Sequence, residues 1–167
     1  LRLILPERTN DRGFAMTSSY SSMLVAAAMV FVPDQQQLEA VAGMAKELID
    51  ERVGDISEQA CASFDRLVTL GSGALEGTAR EICLKSLELA GGRLTATSDT
   101  SLGFRHGPKI IVSPSTVVMQ LVSNNPYTCK YDYDLLKELQ SDGVAANIIF
   151  LSLRSLFPEN EENIDDI

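Results

Sequence analysis

The sequence has no tryptophan, a single histidine, and only 14 Lys and Arg against 23 Asp and Glu, which gives 167 residues a formal charge of −9 at pH 7. A surface that tracks nucleic-acid phosphates would have to work against that field, so no nucleic-acid partner is expected. The longest apolar run, Met23 to Val32, is ten residues, where a helix needs about 20 to cross a hydrocarbon core, so no membrane partner is expected either. Cys61, Cys83 and Cys129 lie far apart with no CxxC pair. An odd set of cysteines cannot close a disulfide framework, and a reducing cytoplasm fits best. Initiator Met is also missing, and Leu1-Arg2-Leu3-Ile4-Leu5-Pro6 reads as a strand entered mid-fold. No basic region followed by a long apolar stretch marks a signal peptide, and a piece of a longer protein is expected.

What is present suits a folded domain. Hydrophobic residues make up 45% of the chain, with six Phe and four Tyr, so disorder is not the default. Glu7 to Arg12 is polar and turn-like, and Thr17-Ser18-Ser19 offers hydroxyl caps before the apolar run, predicting a helix over 16–31. Pro33-Asp34 breaks that run. Leu38, Val41, Ala45, Leu48 and Ile49 then recur at helical spacing, predicting an amphipathic helix over 34–52. A short helical turn around 56–63 precedes Arg66-Leu67-Val68-Thr69-Leu70, a β-like run ending on Gly71-Ser72-Gly73.

From there strand and helix alternate. A helix over 74–90 stops at Gly91-Gly92, a short strand follows at 93–97, and 98–108 reads as a polar loop. Lys109 to Val112 reads as an edge strand, Val117 to Val122 as a buried strand, Tyr133 to Ser141 as a helix, and Asn147 to Leu153 as a last buried strand. This order predicts an α/β fold, a parallel doubly wound sheet with helices on both faces. The acidic tail, Glu159 to Asp166, reads as a solvated end or the start of a further segment.

In open α/β sheets ligands bind beyond the carboxyl ends of strands, which is where Gly71-Ser72-Gly73 falls. Small residues there let the backbone approach an anion at a helix N-terminus. The same turn can be purely structural. As a dinucleotide fingerprint, Gly71, Gly73 and Gly77 miss G-x-G-x-x-G by one residue, and only Asp99 stands near the expected acid. On the following helix Glu81, Lys85 and Glu88 are spaced four and three apart and share one face. They could be an ordinary solvated ion pair, or a carboxylate held beside a cation to abstract a proton. His106, within Gly103-Phe104-Arg105-His106-Gly107-Pro108, is either structural or a proton carrier suited to neutral pH, on a backbone that Gly and Pro fix.

These segments together resemble a known family. Gly71-Ser72-Gly73, Glu81 through Glu88, and Arg105-His106-Gly107-Pro108 resemble the second half of a sugar isomerase (SIS) domain protein, as in the isomerase half of glucosamine-6-phosphate synthase. Asp11 through Ser19, Gly103 through Lys109, and Pro126-Tyr127-Thr128 resemble more closely the tagatose-6-phosphate ketose/aldose isomerases, also described as galactosamine-6-phosphate deaminase/isomerases.

The resemblance implies that 1–52 is the end of a first SIS domain, 53–65 a linker, and 66–167 most of a second. It implies that Glu88 shuttles a proton between C1 and C2 of a phosphorylated sugar or amino sugar, and that His106 assists ring opening. In the relatives that histidine commonly comes from a neighbouring subunit, which implies a dimer. Glu81, Lys85 and Arg105 would line the pocket with Gly71, Ser72 and Gly73, and Thr17 and Ser18 would edge the sugar-phosphate site. No metal or organic cofactor is required for such a transfer. The family's upstream phosphate loop, S-x-S-G-x-S, and its C-terminal lysine do not occur here, and Met16 stands where the synthase has serine; the chain alone is not expected to turn over substrate. The competing class is a non-catalytic sugar-phosphate sensor. Such a sensor is expected to lack the base or the histidine, and both are present.

Overall fold

A computed structural model describes residues 2–60 and 63–152. The acidic tail at 159–166 and Leu153 of the last expected strand lie outside them. The chain divides into two compact units, 1–62 and 63–167.

In the first unit the expected opening strand is not formed. Residues 2–6 are irregular and lead into a single 3-10 turn at Glu7–Thr9. A strand needs a paired neighbour for its N–H and C=O groups, and among the described residues this segment has none. Three helices follow: α1 (Ser18–Phe31), α2 (Gln35–Glu51) and α3 (Val53–Ala60). The first two fall within two residues of the bounds their periodicity predicts. Asp34 caps α2 by accepting the Gln37 N–H at 2.9 Å. No residue of α1 or α2 is buried, and the stripe Val41, Leu48 and Ile49 is half exposed or more.

The second unit carries β1 (Arg66–Gly71), α4 (Ala74–Ala90), β2 (Thr95–Asp99), α5 (Ser101–Arg105), β3 (Thr116–Leu121), α6 (Pro126–Asp142) and β4 (Asn147–Leu151). The strands form one parallel sheet in the order β2-β1-β3-β4, with Val68 beside Thr97 and Val118, and Val118 beside Ile148. Every residue of β1 after Arg66 is buried, as both-face coverage demands. Strand alternation then assigns the layers. Val68, Leu70 and Val118 pack with Phe104 of α5 and Leu135 and Leu139 of α6. Thr69, between two of them, points the other way and donates its hydroxyl to the Ala79 carbonyl of α4 at 2.8 Å. Thus α4 covers one face of the sheet while α5 and α6 cover the other.

Three local expectations need correction. The 98–108 loop contains α5, because Thr100 caps it by accepting the Gly103 N–H at 3.0 Å and Phe104 is fully buried beneath it. Lys109 to Val112 is not a strand. Pro108 opens a 3-10 turn over Pro108–Ile111, where a fixed φ favours a turn. Finally, α6 begins at Pro126 rather than Tyr133, since Asn125 accepts the N–H groups of Tyr127 and Thr128. An Asn cap followed by Pro at the first helical position was the available signal.

Candidate active site

On α4 the buried positions Ala79 and Cys83 face the sheet. Glu81, Lys85 and Glu88 lie around the opposite side of the cylinder at 3.6 residues per turn. Lys85 Nζ is 2.7 Å from Glu88 Oε2 and 3.5 Å from Glu81 Oε1. Each of the three side chains exposes only about a fifth of its surface, so this is not an ordinary solvated pair. Glu81 Oε1 is buried with no hydrogen bond. Its 3.5 Å approach to Lys85 is electrostatic, longer than a good charge-assisted bond. The hydrogen bond that Lys85 donates to Glu88, with the charge of Glu81 added, holds the Lys85 ammonium above the usual lysine range against the opposing effect of burial. The trio can therefore offer a carboxylate as proton acceptor beside a cation that stays charged.

His106 ends α5 as its C-cap, with φ −83° and ψ 5°. It is exposed, and its imidazole has no hydrogen-bond partner among the described residues. Arg105 beside it places Nε 2.6 Å from Glu138 Oε2 of α6. Because α4 and α5 occupy opposite faces of the sheet, Glu88 and His106 of one chain sit in different layers.

The turn after β1 lies at the switch point between β1 and β3, from which the chain leaves in opposite directions. A β-carbon on Gly71 would collide with the Leu75 backbone carbonyl, so the close strand-to-helix turn requires glycine there. Gly73 caps α4 at φ 62°. Ser72 donates its hydroxyl to Asp132 Oδ1 at 2.9 Å, and Ser101 Oγ donates to the same oxygen. The Ser123 N–H reaches Asp132 Oδ2 at 2.9 Å, and Gln120 Nε2 reaches Ser101 Oγ at 3.1 Å. Asp132 and Gln120 are fully buried. The protein's own carboxylate thus occupies the hydroxyl that the sequence offered to a ligand anion.

In the first unit Thr17 and Ser18 are likewise engaged. Asp11 accepts the N–H groups of Thr17, Ser18 and Ser19 at 3.0, 2.9 and 2.9 Å, and the hydroxyls of Thr17 and Ser19. These bonds, Ser19 foremost, hold the Asp11 carboxyl far below the usual range. An intramolecular anion therefore satisfies the N-terminus of α1. Asp132, Glu138 and Gln120 carry none of the local patterns by which sequence marks a site. Among the described residues no three His, Cys, Asp or Glu side chains are grouped to hold a metal.

Comparison with known proteins bears directly on the resemblance to the sugar isomerase domain. No family model matches the chain. The D-galactosamine-6-phosphate deaminase AgaS of Escherichia coli is 44% identical over 158 residues, 92% of this chain and 41% of that protein. The D-galactosamine-6-phosphate deaminase AgaS of Shewanella sp. strain ANA-3 is 42% identical over 148 residues, 89% of this chain and 38% of that one. The crystal structure of tagatose-6-phosphate ketose/aldose isomerase from Escherichia coli superposes with a TM-score of 0.86 at 44% identity, over 92% of this chain and 42% of that chain. The resemblance to SIS proteins, and within them to these deaminases and isomerases, holds over nearly the whole chain. This chain spans about two fifths of the length of the curated relatives it matches.

Proposed function

We propose that the chain is part of a sugar-phosphate isomerase that acts as an amino-sugar-phosphate deaminase, converting galactosamine 6-phosphate and water to tagatose 6-phosphate and ammonia. The observation that carries this reading is the sheltered Glu81–Lys85–Glu88 trio, with Lys85 at 2.7 Å from Glu88. Ring opening comes first, since a carbon-bound proton is acidic enough for a carboxylate only beside a carbonyl. His106 moves the proton between ring oxygen and O1. Glu88 then takes the proton from C2 while the Lys85 charge stabilises the oxyanion developing at O1. The substrate's ammonium passes one proton to O1, Glu88 returns the C2 proton to C1, and the iminium this leaves at C2 is attacked by water, so that ammonia departs as the ketone forms. A neutral aldose phosphate undergoes the same proton transfer without loss of ammonia.

The opposite layers of α4 and α5 support a site shared between two copies, with Glu88 from one subunit and His106 from the other. The test is ammonia release by the intact protein from galactosamine 6-phosphate and glucosamine 6-phosphate, with ketose formation followed in parallel. Stoichiometric ammonia and ketose from the first substrate is the expected result. Ketose formed from a neutral aldose phosphate, with no ammonia from either amino sugar, would leave isomerisation alone, and the absence of both ketose and ammonia would remove the catalytic reading.

A further inference from the structure

We propose that Glu138 is a positioning residue for His106, an inference that rests on the catalytic reading of that histidine. One carboxylate of α6 grips the two cations that flank the His106-Gly107-Pro108 segment. Arg105 Nε lies 2.6 Å from Glu138 Oε2, Lys109 Nζ contacts Glu138 Oε1, and Lys109 also reaches Asp142 Oδ2 at 2.8 Å. The backbone holds this stretch loosely by comparison. The His106, Gly107 and Ile110 N–H groups reach their carbonyls at 3.3, 3.5 and 3.2 Å, at or beyond the long end of the usual range. Nothing among the described residues holds the imidazole itself, so its placement follows from the backbone it leaves, and that backbone is tethered at residues 105 and 109.

The anchor beneath is firm. Phe104 is fully buried against Leu135 and Leu139, and Ser101 is bound to Asp132, so α5 is fastened to α6 at its base and the Glu138 clamp fixes the end that carries His106. A single exposed ion pair is worth little, but a carboxylate shared by two cations closes a segment that would otherwise be free to swing. On this view Arg105 acts through Glu138 and not as a contact to the sugar.

The experiment uses Glu138→Gln in the full-length protein with two readouts. Hydrogen exchange over 103–112 is expected to rise about tenfold while the global unfolding midpoint stays near wild type. Turnover of the cyclic amino-sugar phosphate is expected to fall about tenfold, with C2-proton exchange on an open-chain analogue within about twofold of wild type. Should that variant fail to fold, Arg105→Lys, which keeps the charge and loses the Nε contact, carries the same readouts. Unchanged exchange over 103–112, or equal losses on cyclic and open-chain substrates, overturns the positioning role alone. A wild-type protein that neither exchanges the C2 proton nor releases ammonia overturns the catalytic reading and the positioning role together, a result visible before any variant is made.

Discussion

A carboxylate 2.7 Å from an ammonium can be an inert pair or a poised base, and removing only its charge separates the two. Glu88→Gln keeps the size of the side chain and a hydrogen-bonding oxygen for Lys85 but cannot accept a proton. In the intact protein it is expected to abolish exchange of the C2 proton with deuterated solvent while sugar-phosphate binding stays largely intact. Exchange at the wild-type rate would remove Glu88 from the role of base. For His106→Ala, turnover of the cyclic substrate is expected to suffer more than that of an open-chain analogue, and equal losses would assign the histidine to structure. The α4 trio was legible in the sequence because four and three residues of helix bring side chains together whatever the rest of the fold does. The Ser72–Asp132 bond was not, since it joins positions 60 residues apart and forms only once β1, α5 and α6 are packed.

At the scale of elements the same contrast recurs. Both strands flanking the switch point, and α4 between its glycine turns, followed from apolar runs and capping residues. By contrast α5 is only five residues long and too short for periodicity to show, so its existence depends on Phe104 finding the core. The polar network beneath it should matter for stability. Asp132→Ala strands two hydroxyls and one N–H that are buried or half-buried, and is expected to lower unfolding stability by about 3 kcal/mol in denaturant titration. Asp132→Asn keeps acceptor capacity and is expected to cost about 1 kcal/mol. The α5–α6 clamp should also respond to acid. Glu138 is held below the usual glutamate range, chiefly by its hydrogen bond from Lys109 and then by the charges of Lys109 and Arg105. A depressed carboxylate contributes stability above its unfolded pKa and loses it as pH falls through the folded one. The protection factors over 103–112, with the intrinsic pH dependence of amide exchange divided out, are therefore expected to fall only below the ordinary carboxylate range and to stay constant between about pH 6 and 8, an interval where carboxylates stay ionised.

For the whole molecule, the decisive feature is the sheet itself. Thr69 and Val68 point to opposite faces, and that alternation sends α4 into one layer and α5 into the other, which is the ground for the proposal that a site using both Glu88 and His106 is built from two copies. In the proposed arrangement, closed twofold symmetry would pair each Glu88 with the partner's histidine twice over. Mixing inactive subunits tests this without any structural probe. When Glu88→Gln and His106→Ala subunits of the full-length protein are co-assembled in equal amounts, half of the dimers should be mixed. Each mixed dimer would hold one site with both wild-type groups and one with neither. About one quarter of wild-type activity is expected to return, against the residual activity of either variant alone. If each site were built within one polypeptide, mixing could restore nothing, because every subunit would carry its own lesion into its own site.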